Sequence, residues 1–539
     1  MKKLYYGGEI ITMEKDKESV EAVLVEKGVI QDLGSLAKFE SLLHNGNIEK
    51  HNLQGHTLLP SFIDPHSHVS MVGPVAALCD LSTCNNFDEI VTALKSYIEE
   101  KQLRDTDPVI GFGYDHNVLQ EKQHPTKEIL NQVSMDRMVI VMHTSAHMGC
   151  VNDMALQFAG IDENTKDHEG GKIGRVRGSL EPNGYLEEAS MMAIREEVVS
   201  DIGTNFVAMM QQGQEIYIKN GITTCQDGAT SKEMMQLFHT LADQNKLMID
   251  IVAYPLVMEA PTELLQQYER YAKKYSNRFK LGGYKLFLDG SPQGKTAWLT
   301  EPYEGETDYR GYAWFQDEEV KKFVLTALND DVQLLTHCNG DAASDQLLRS
   351  YEEALKDAAN PNKHKLRPVM IHCQTVRSDQ LDKMVELNMI PSIFNVHTFY
   401  WGDVHLKNLG EERGSRISPA KTAFDKGLAV NFHQDSPVVK PDMLHAIWCA
   451  VNRKTRSGRR IGEEECVTVY EALQAVTINA AYQYFEEDTK GSIAVGKYAD
   501  LVILDQNPLT IDKEAIHNIN VVETIKEGNT IYQNTEASA

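Results

Sequence analysis

His66 and His68 stand one residue apart in Phe62-Ile63-Asp64-Pro65-His66-Ser67-His68, directly after the apolar run Thr57-Leu58-Leu59-Pro60. Side chains on an extended strand alternate with period two, so both imidazoles point the same way and can reach one metal ion. Further candidate ligands recur at the ends of apolar segments. They are Lys285 in Tyr284-Lys285-Leu286-Phe287-Leu288-Asp289-Gly290, His337 in Leu334-Leu335-Thr336-His337, His372 in Met370-Ile371-His372-Cys373, and Asp435 in Asn431-Phe432-His433-Gln434-Asp435-Ser436-Pro437. A lone histidine at a strand end is ordinarily a packed, hydrogen-bonded residue. The whole set, in order along the chain, is different: four imidazoles, a carboxylate and a lysine suit a zinc-like divalent ion. Such an ion acidifies water for attack on a substrate.

The elements that must position this set follow from the apolar pattern. After a first strand ending at Ile63, strands are predicted at 221–225, 247–252, 284–288, 332–336, 369–371, 389–394 and 428–432, with helices such as 317–327 and 341–356 between them. Eight strands alternating with helices predict an α/β fold of the (β/α)8 TIM-barrel type. Active residues of such barrels sit at the C-terminal strand ends, where the candidate ligands fall. The stretch between the first two strands far exceeds a βα connection. It predicts an insertion at about 75–205, a lid or subdomain over the barrel mouth. Both chain ends are short, β-rich and turn-rich, as in Leu4-Tyr5-Tyr6-Gly7-Gly8 and Glu527-Gly528-Asn529-Thr530. Residues 1–60 and 486–539 are expected to form one composite β-sandwich, leaving 61–485 as the barrel.

The 539 residues carry a net charge of -25, which argues against a nucleic-acid partner and against anionic lipid. A hydrophobic fraction of 42% and a charged fraction of 24% fit an ordinary soluble protein. No stretch reaches transmembrane length, and Met1-Lys2-Lys3-Leu4 leads into no apolar signal region. The eight cysteines include no CxxC pair, which predicts free thiols in a reducing, cytoplasmic setting. Cys338 and Cys373 directly follow candidate ligands, so strand alternation turns them away from the metals and into packing.

These segments resemble the amidohydrolase superfamily. The resemblance rests on the Phe62 to His68 segment, the strand-four Lys285, His337-Cys338-Asn339-Gly340-Asp341, His372, Asp435-Ser436-Pro437, and the closing Gly491-Ser492-Ile493-Ala494-Val495-Gly496-Lys497-Tyr498-Ala499-Asp500. Within it the chain is most similar to the amidohydrolase 3 branch, the YtcJ-like and N-substituted formamide deformylase group. That similarity is carried by Gly111-Phe112-Gly113-Tyr114-Asp115, Ser145-Ala146-His147, Asn152 with Ala155-Leu156, and Gly221-Ile222-Thr223-Thr224. The resemblance implies a centre of one or two zinc or other divalent ions. His66, His68 and Asp435 would hold the more buried ion, and His337 and His372 the second. Lys285, carboxylated to a carbamate, would bridge them; an unmodified Lys285 beside a single ion is the alternative. Two departures stand out: Gly294-Lys295-Thr296-Ala297 replaces the Arg-Thr of many members, and Gly340 stands where the deaminase branch has a glutamate.

The activity implied is hydrolysis of a carbon–nitrogen bond in a non-peptide amide, such as an N-substituted formamide or N-acyl amine. Hydroxide generated at the metals would attack the carbonyl, while Asp435 accepts its proton and returns it to the leaving amine. The alternatives are a cyclic amidase or an aminohydrolase (deaminase) on a nucleobase-like ring, and a catalytically inactive binding protein on the same barrel. His147, His397, Tyr400 and Trp401 are the expected substrate-pocket residues, with Phe399, Asp115, His116 and His143 beside them. The expected partner is a small-molecule amide, and the chain is compatible with a homodimer.

Overall fold

Strands from both chain ends pair into one eight-stranded sheet. Its order is Asn529–Gln533, Val521–Lys526, Leu501–Leu504, Thr57–Pro60, Lys2–Ile11, Ser19–Glu26 and Val29–Gly34, with Ile48–Asn52 also paired to Lys2–Ile11. The junction between the two ends is the antiparallel register Leu501↔Pro60 to Leu504↔Thr57. Every residue of Leu501–Leu504 is buried, so this strand is covered on both faces. Tyr5, Ile10, Val23, Leu58, Leu501, Ile503 and Ile525 make one apolar core of the sheet. The computed structural model describes residues 2–14, 19–44, 48–144, 148–168, 171–191, 194 and 206–535.

From Pro60 the chain passes directly into the strand that precedes the paired histidines. Ser61 donates its backbone N–H to Asp500 O, and Phe62–Ile63 pairs in parallel with Ile222–Thr230. Ile222–Thr230 pairs with Asp250–Pro255, and a parallel bridge from Leu256 to Lys285 leads on to Gly283–Phe287. Gln333–Cys338, Val369–His372, Ile390–Ile393 and Asn431–Phe432 then follow, each parallel to the one before. Helices Asp317–Asn329, Asp341–Asp357 and Ser378–Glu386 alternate with these strands. Ile63, Val252, Tyr254, Leu335, Val369, Ile371 and Ile390 form one core with Ala480 and Ala481 of the helix Ile478–Gln483.

The last parallel strand, expected at 428–432, is only Asn431–Phe432, and two earlier strands differ from the apolar pattern for an electrostatic reason. The second, expected at 221–225, runs on to Thr230 because its polar residues are paired inside: Gln226 donates to Pro65 O, and Asp227 accepts from the Ser70 backbone. The third, expected at 247–252, is Asp250–Pro255. Its buried leading carboxylate is matched by Lys490 at 2.5 Å and Lys526 at 2.6 Å, and Lys526 also meets Asp500 at 2.6 Å.

Residues Met71–Gly213 form a compact unit of their own, separate from Met1–Ser70 with Gln214–Ala539. It contains a six-stranded sheet in the order Gly171–Arg175, Pro182–Glu188, Met148–Val151, Val139–His143, Val109–Tyr114 and Cys79–Asp80. The amphipathic helix Phe87–Lys101 starts at Asn86, whose side chain accepts from Glu89 N. Its buried Phe87, Ile90 and Leu94 join Val109, Val139 and Val141 of the sheet.

Candidate metal centre

His66 is buried, and its Nδ1 lies 2.6 Å from Gln226 Oε1. Gln226 Nε2 donates to Pro65 O at 2.7 Å, which turns the amide oxygen towards the imidazole. Nδ1 is therefore the protonated nitrogen of His66, and Nε2 carries a lone pair. His68 is fixed the same way, because its Nδ1 lies 2.7 Å from Gly228 O and a carbonyl can only accept. Both Nε2 atoms face Asp435 Oδ1, at 3.3 Å and 3.2 Å.

Asp435 Oδ1 is buried and receives no hydrogen bond among the described residues. Three lone-pair atoms thus converge within 4.8 Å of one another. Left alone they repel; a cation among them turns the repulsion into ligation. The donor set fits a zinc-like ion, whose bonds to nitrogen and oxygen run to about 2.0–2.2 Å. A proton can take the same role: burial depresses His68, yet Asp435 holds it above the ordinary histidine value. Burial likewise raises Asp435, but His68, His372 and His66 hold it well below the usual carboxylate range.

A second pair of donors stands beside the first. His337 Nε2 lies 3.2 Å from Gly290 O and 3.1 Å from Asn339 Nδ2, and its Nδ1 faces His372 Nε2 at 3.0 Å. The rings of His66 and His372 are 5.8 Å apart. Behind His372, its Nδ1 meets His433 Nε2 at 3.2 Å, and His433 Nδ1 meets Ser392 Oγ at 3.0 Å. This relay lets His372 carry its lone pair on Nε2, towards His337. Burial, then the neighbouring His337, pushes His372 well below the ordinary histidine value. Both His372 (φ 75°) and Asp435 (φ 52°) sit in the left-handed region. Backbone strain of that kind costs of the order of 1–3 kcal/mol and collects at functional sites.

Lys285 is fully buried, with its Nζ 3.1 Å from His66 Nε2. Burial pushes its amine down to about 7, against the opposing pull of Asp435 and Cys338. Much of it is then neutral at neutral pH, the form that reacts with CO2. Asp289 braces the adjoining loops: its carboxylate accepts from the backbone N–H groups of Trp298, Asn339 and Gly340.

The structure therefore brings His66, His68, Lys285, His337, His372 and Asp435 together. His397 and Trp401 are buried with ring centres 4.4 Å apart, and His397 Nδ1 pairs with His405 Nε2 at 3.0 Å. Tyr400 packs beside Trp401 at 5.6 Å. His397 is thereby tied into a histidine pair, not left open to a ligand through Nδ1. His147 lies outside the described residues. Gln226 and His433 were missed from sequence. His433, two residues before Asp435, offered a signal in its spacing; Gln226, an amide inside a strand, offered none. Phe394 stacks on His433 at 5.0 Å and completes the wall behind the ligands.

Histidines and a carboxylate converging at the ends of parallel strands define a metal-ligating α/β hydrolase centre. The model described as the amidohydrolase family matches residues 50–532, and the chain belongs to that family. It is 28% identical over 549 residues to the YtcJ protein of Bacillus subtilis (strain 168), covering 99% of this chain and all of the relative. It is 23% identical to the N-substituted formamide deformylase of Arthrobacter pascens, covering 97% of each. Among solved structures, an uncharacterized metal-dependent hydrolase from Pyrococcus horikoshii shares the fold, with a TM-score of 0.76 at 22% identity over 95% of this chain and 99% of that one.

Proposed function

We propose that this protein is a cytoplasmic, metal-dependent hydrolase of a carbon–nitrogen bond in a non-peptide amide, with an N-substituted formamide or N-acyl amine as substrate. The observation that carries this reading is the convergence of two Nε2 atoms, their Nδ1 atoms held by Gln226 and Gly228, on an Asp435 oxygen with no hydrogen-bond partner among the described residues. His66, His68 and Asp435 would hold one zinc ion. His337 and His372 would hold a second, with Lys285 as a carbamate between them. The metal, when bound, supplies Lewis acidity, giving an acidified water nucleophile and a polarised carbonyl.

The chain's own residues do the rest. Gln226 and Gly228 hold the two imidazoles in their ligating tautomers. Asp435 is placed to take the attacking proton and to return it to the leaving amine, which an amide requires. Gly340 offers no side chain for a competing proton transfer, which disfavours ring deamination. Phe287, 5.3 Å from the His337 ring and 5.7 Å from the half-exposed Trp314, gives an apolar flank suited to an aromatic or alkyl amine substituent. The formamide relative supports the same substrate class. In this reading the parallel strands close as a (β/α)8 barrel, flanked by the end strands as a β-sandwich domain.

The test is an assay of zinc-loaded protein on N-substituted formamides, N-acyl amines and N-acyl amino acids, following both carboxylate and amine. Turnover of a formamide or N-acyl amine is expected, and His66→Ala should lose it together with most of the metal. Ammonia release from a nucleobase-like ring, or full metal content in His66→Ala, would overturn the assignment.

A further inference from the structure

Within Met71–Gly213 the strands Val109–Tyr114 and Val139–His143 run parallel, with Tyr114 in register with His143. The chain that leaves the first strand carries Asp115 and His116, so three potential ligands meet at one sheet end. His116 Nδ1 lies 3.2 Å from His143 Nε2. His143 Nε2 lies 3.4 Å from Asp115 Oδ1, and His116 Nδ1 lies 3.9 Å from the same oxygen. These three atoms lie within 4.8 Å of one another. Donors bound tetrahedrally at about 2.0–2.1 Å stand roughly 3.3 Å apart, close to two of the three observed edges.

The surroundings prepare the donors. Asp115 and His143 are buried, and the Asn117 backbone N–H donates to Asp115 Oδ1 at 2.8 Å, fixing the carboxylate. His124 stacks on His116 with ring centres 4.1 Å apart, and its Nδ1 meets Tyr114 OH at 2.9 Å. His116 is half-exposed, which gives an ion a route in.

We propose that Asp115, His116 and His143 form a second divalent-cation site, independent of the centre at His66, His68 and Asp435. Two imidazoles and one carboxylate favour zinc or a similar borderline ion over calcium or magnesium. Three protein donors leave a coordination position open to water or to a small anionic ligand.

The test uses full-length protein, stripped with chelator and titrated with Zn(II) against a sub-micromolar competitor. Wild type should bind one equivalent more than His116→Ala/His143→Ala. His116→Gln, which keeps a polar side chain at a half-exposed position, should weaken that equivalent at least tenfold if the double variant does not fold. A His66→Ala/His68→Ala variant should retain the equivalent, and zinc should slow amide hydrogen exchange across 109–144 in it. Equal stoichiometry and affinity in wild type and His116→Gln would overturn the proposal. So would zinc that leaves exchange across 109–144 unchanged, which would mean that the three side chains are only hydrogen-bonded to one another.

Discussion

Replacing Gln226 with leucine preserves side-chain bulk and removes the acceptor that fixes the His66 tautomer. The hydrogen bond it breaks is 2.6 Å long and joins two fully buried groups. Keeping the proton on Nδ1 would then leave a buried N–H without an acceptor, at about 1–3 kcal/mol. His66 avoids that by moving the proton to Nε2, where it points at Asp435 and blocks ligation. Losing a partner behind a metal-binding histidine typically weakens the ion about 10–100-fold, or about 1.4–2.7 kcal/mol. The assay is zinc affinity by chelator competition, with thermal unfolding of the metal-free protein read in parallel. Unfolding reports the separate loss of the Gln226 bond to Pro65 O. Gln226→Glu keeps an acceptor, now charged, and should hold zinc at least as tightly as wild type. Wild-type zinc affinity in Gln226→Leu, or an equal loss in the leucine and glutamate variants, would refute tautomer control.

Other outcomes follow from the same geometry. Lys285→Ala should lose the second ion and activity, with partial rescue by short carboxylates, while Lys285→Arg stays inactive because guanidinium cannot ligate; metal analysis and kinetics check both. Asp435→Asn should fold and keep some metal but lose about 10²–10⁴-fold in kcat, and near-normal turnover would place the proton elsewhere. Asp250→Ala removes one carboxylate from the buried amines of Lys490 and Lys526, which keep Glu486 at 2.7 Å and Asp500 at 2.6 Å, and should cost less than the roughly 3–5 kcal/mol of a fully stranded charge, seen as a lower Tm. Burial pushes His405 down to about 3, so it is neutral when folded, whereas the unfolded chain takes up its proton below about pH 6.5. Its contribution is full above that pH and is lost as pH falls towards 3, by up to about 1.4 kcal/mol per pH unit. His405→Phe should therefore narrow the gap in Tm between pH 7 and pH 5, and an unchanged gap would refute this.

The candidate ligands were legible from residue type and spacing, although strand alternation is not what aligns the first pair: the strand ends at Ile63, and His66 and His68 lie beyond it. His337 and His372 close the apolar runs of Gln333–Cys338 and Val369–His372, and Asp435 follows Asn431–Phe432. What supports them was not legible. Gln226 is an uncharged amide far along the chain, and its role exists only once Ile222–Thr230 lies beside Phe62–Ile63. The length of that strand was hidden for the same reason. Gln226 and Asp227 look like a strand end until Pro65 O and the Ser70 N–H are in place to pair them. Asp250 looks unfit for a buried strand until Lys490 and Lys526, remote in sequence, neutralise it. Apolar periodicity records what each segment buries but not which polar partner arrives from elsewhere.

The pairing of Thr57–Pro60 with Leu501–Leu504 has a consequence for biosynthesis. As the nascent chain emerges, the strand that leads into His66 is made early, but its partner appears only after residue 504. At about 5–20 residues per second, the 444 residues between 60 and 504 take roughly 20–90 s to translate. Over that interval the apolar Leu58-Leu59 segment has an open edge, the kind of surface that invites aggregation or chaperone capture. Asp435 is also translated late. The centre at His66 can therefore be loaded with metal only near the end of synthesis or after release, which makes metal uptake a step of maturation and not of early folding.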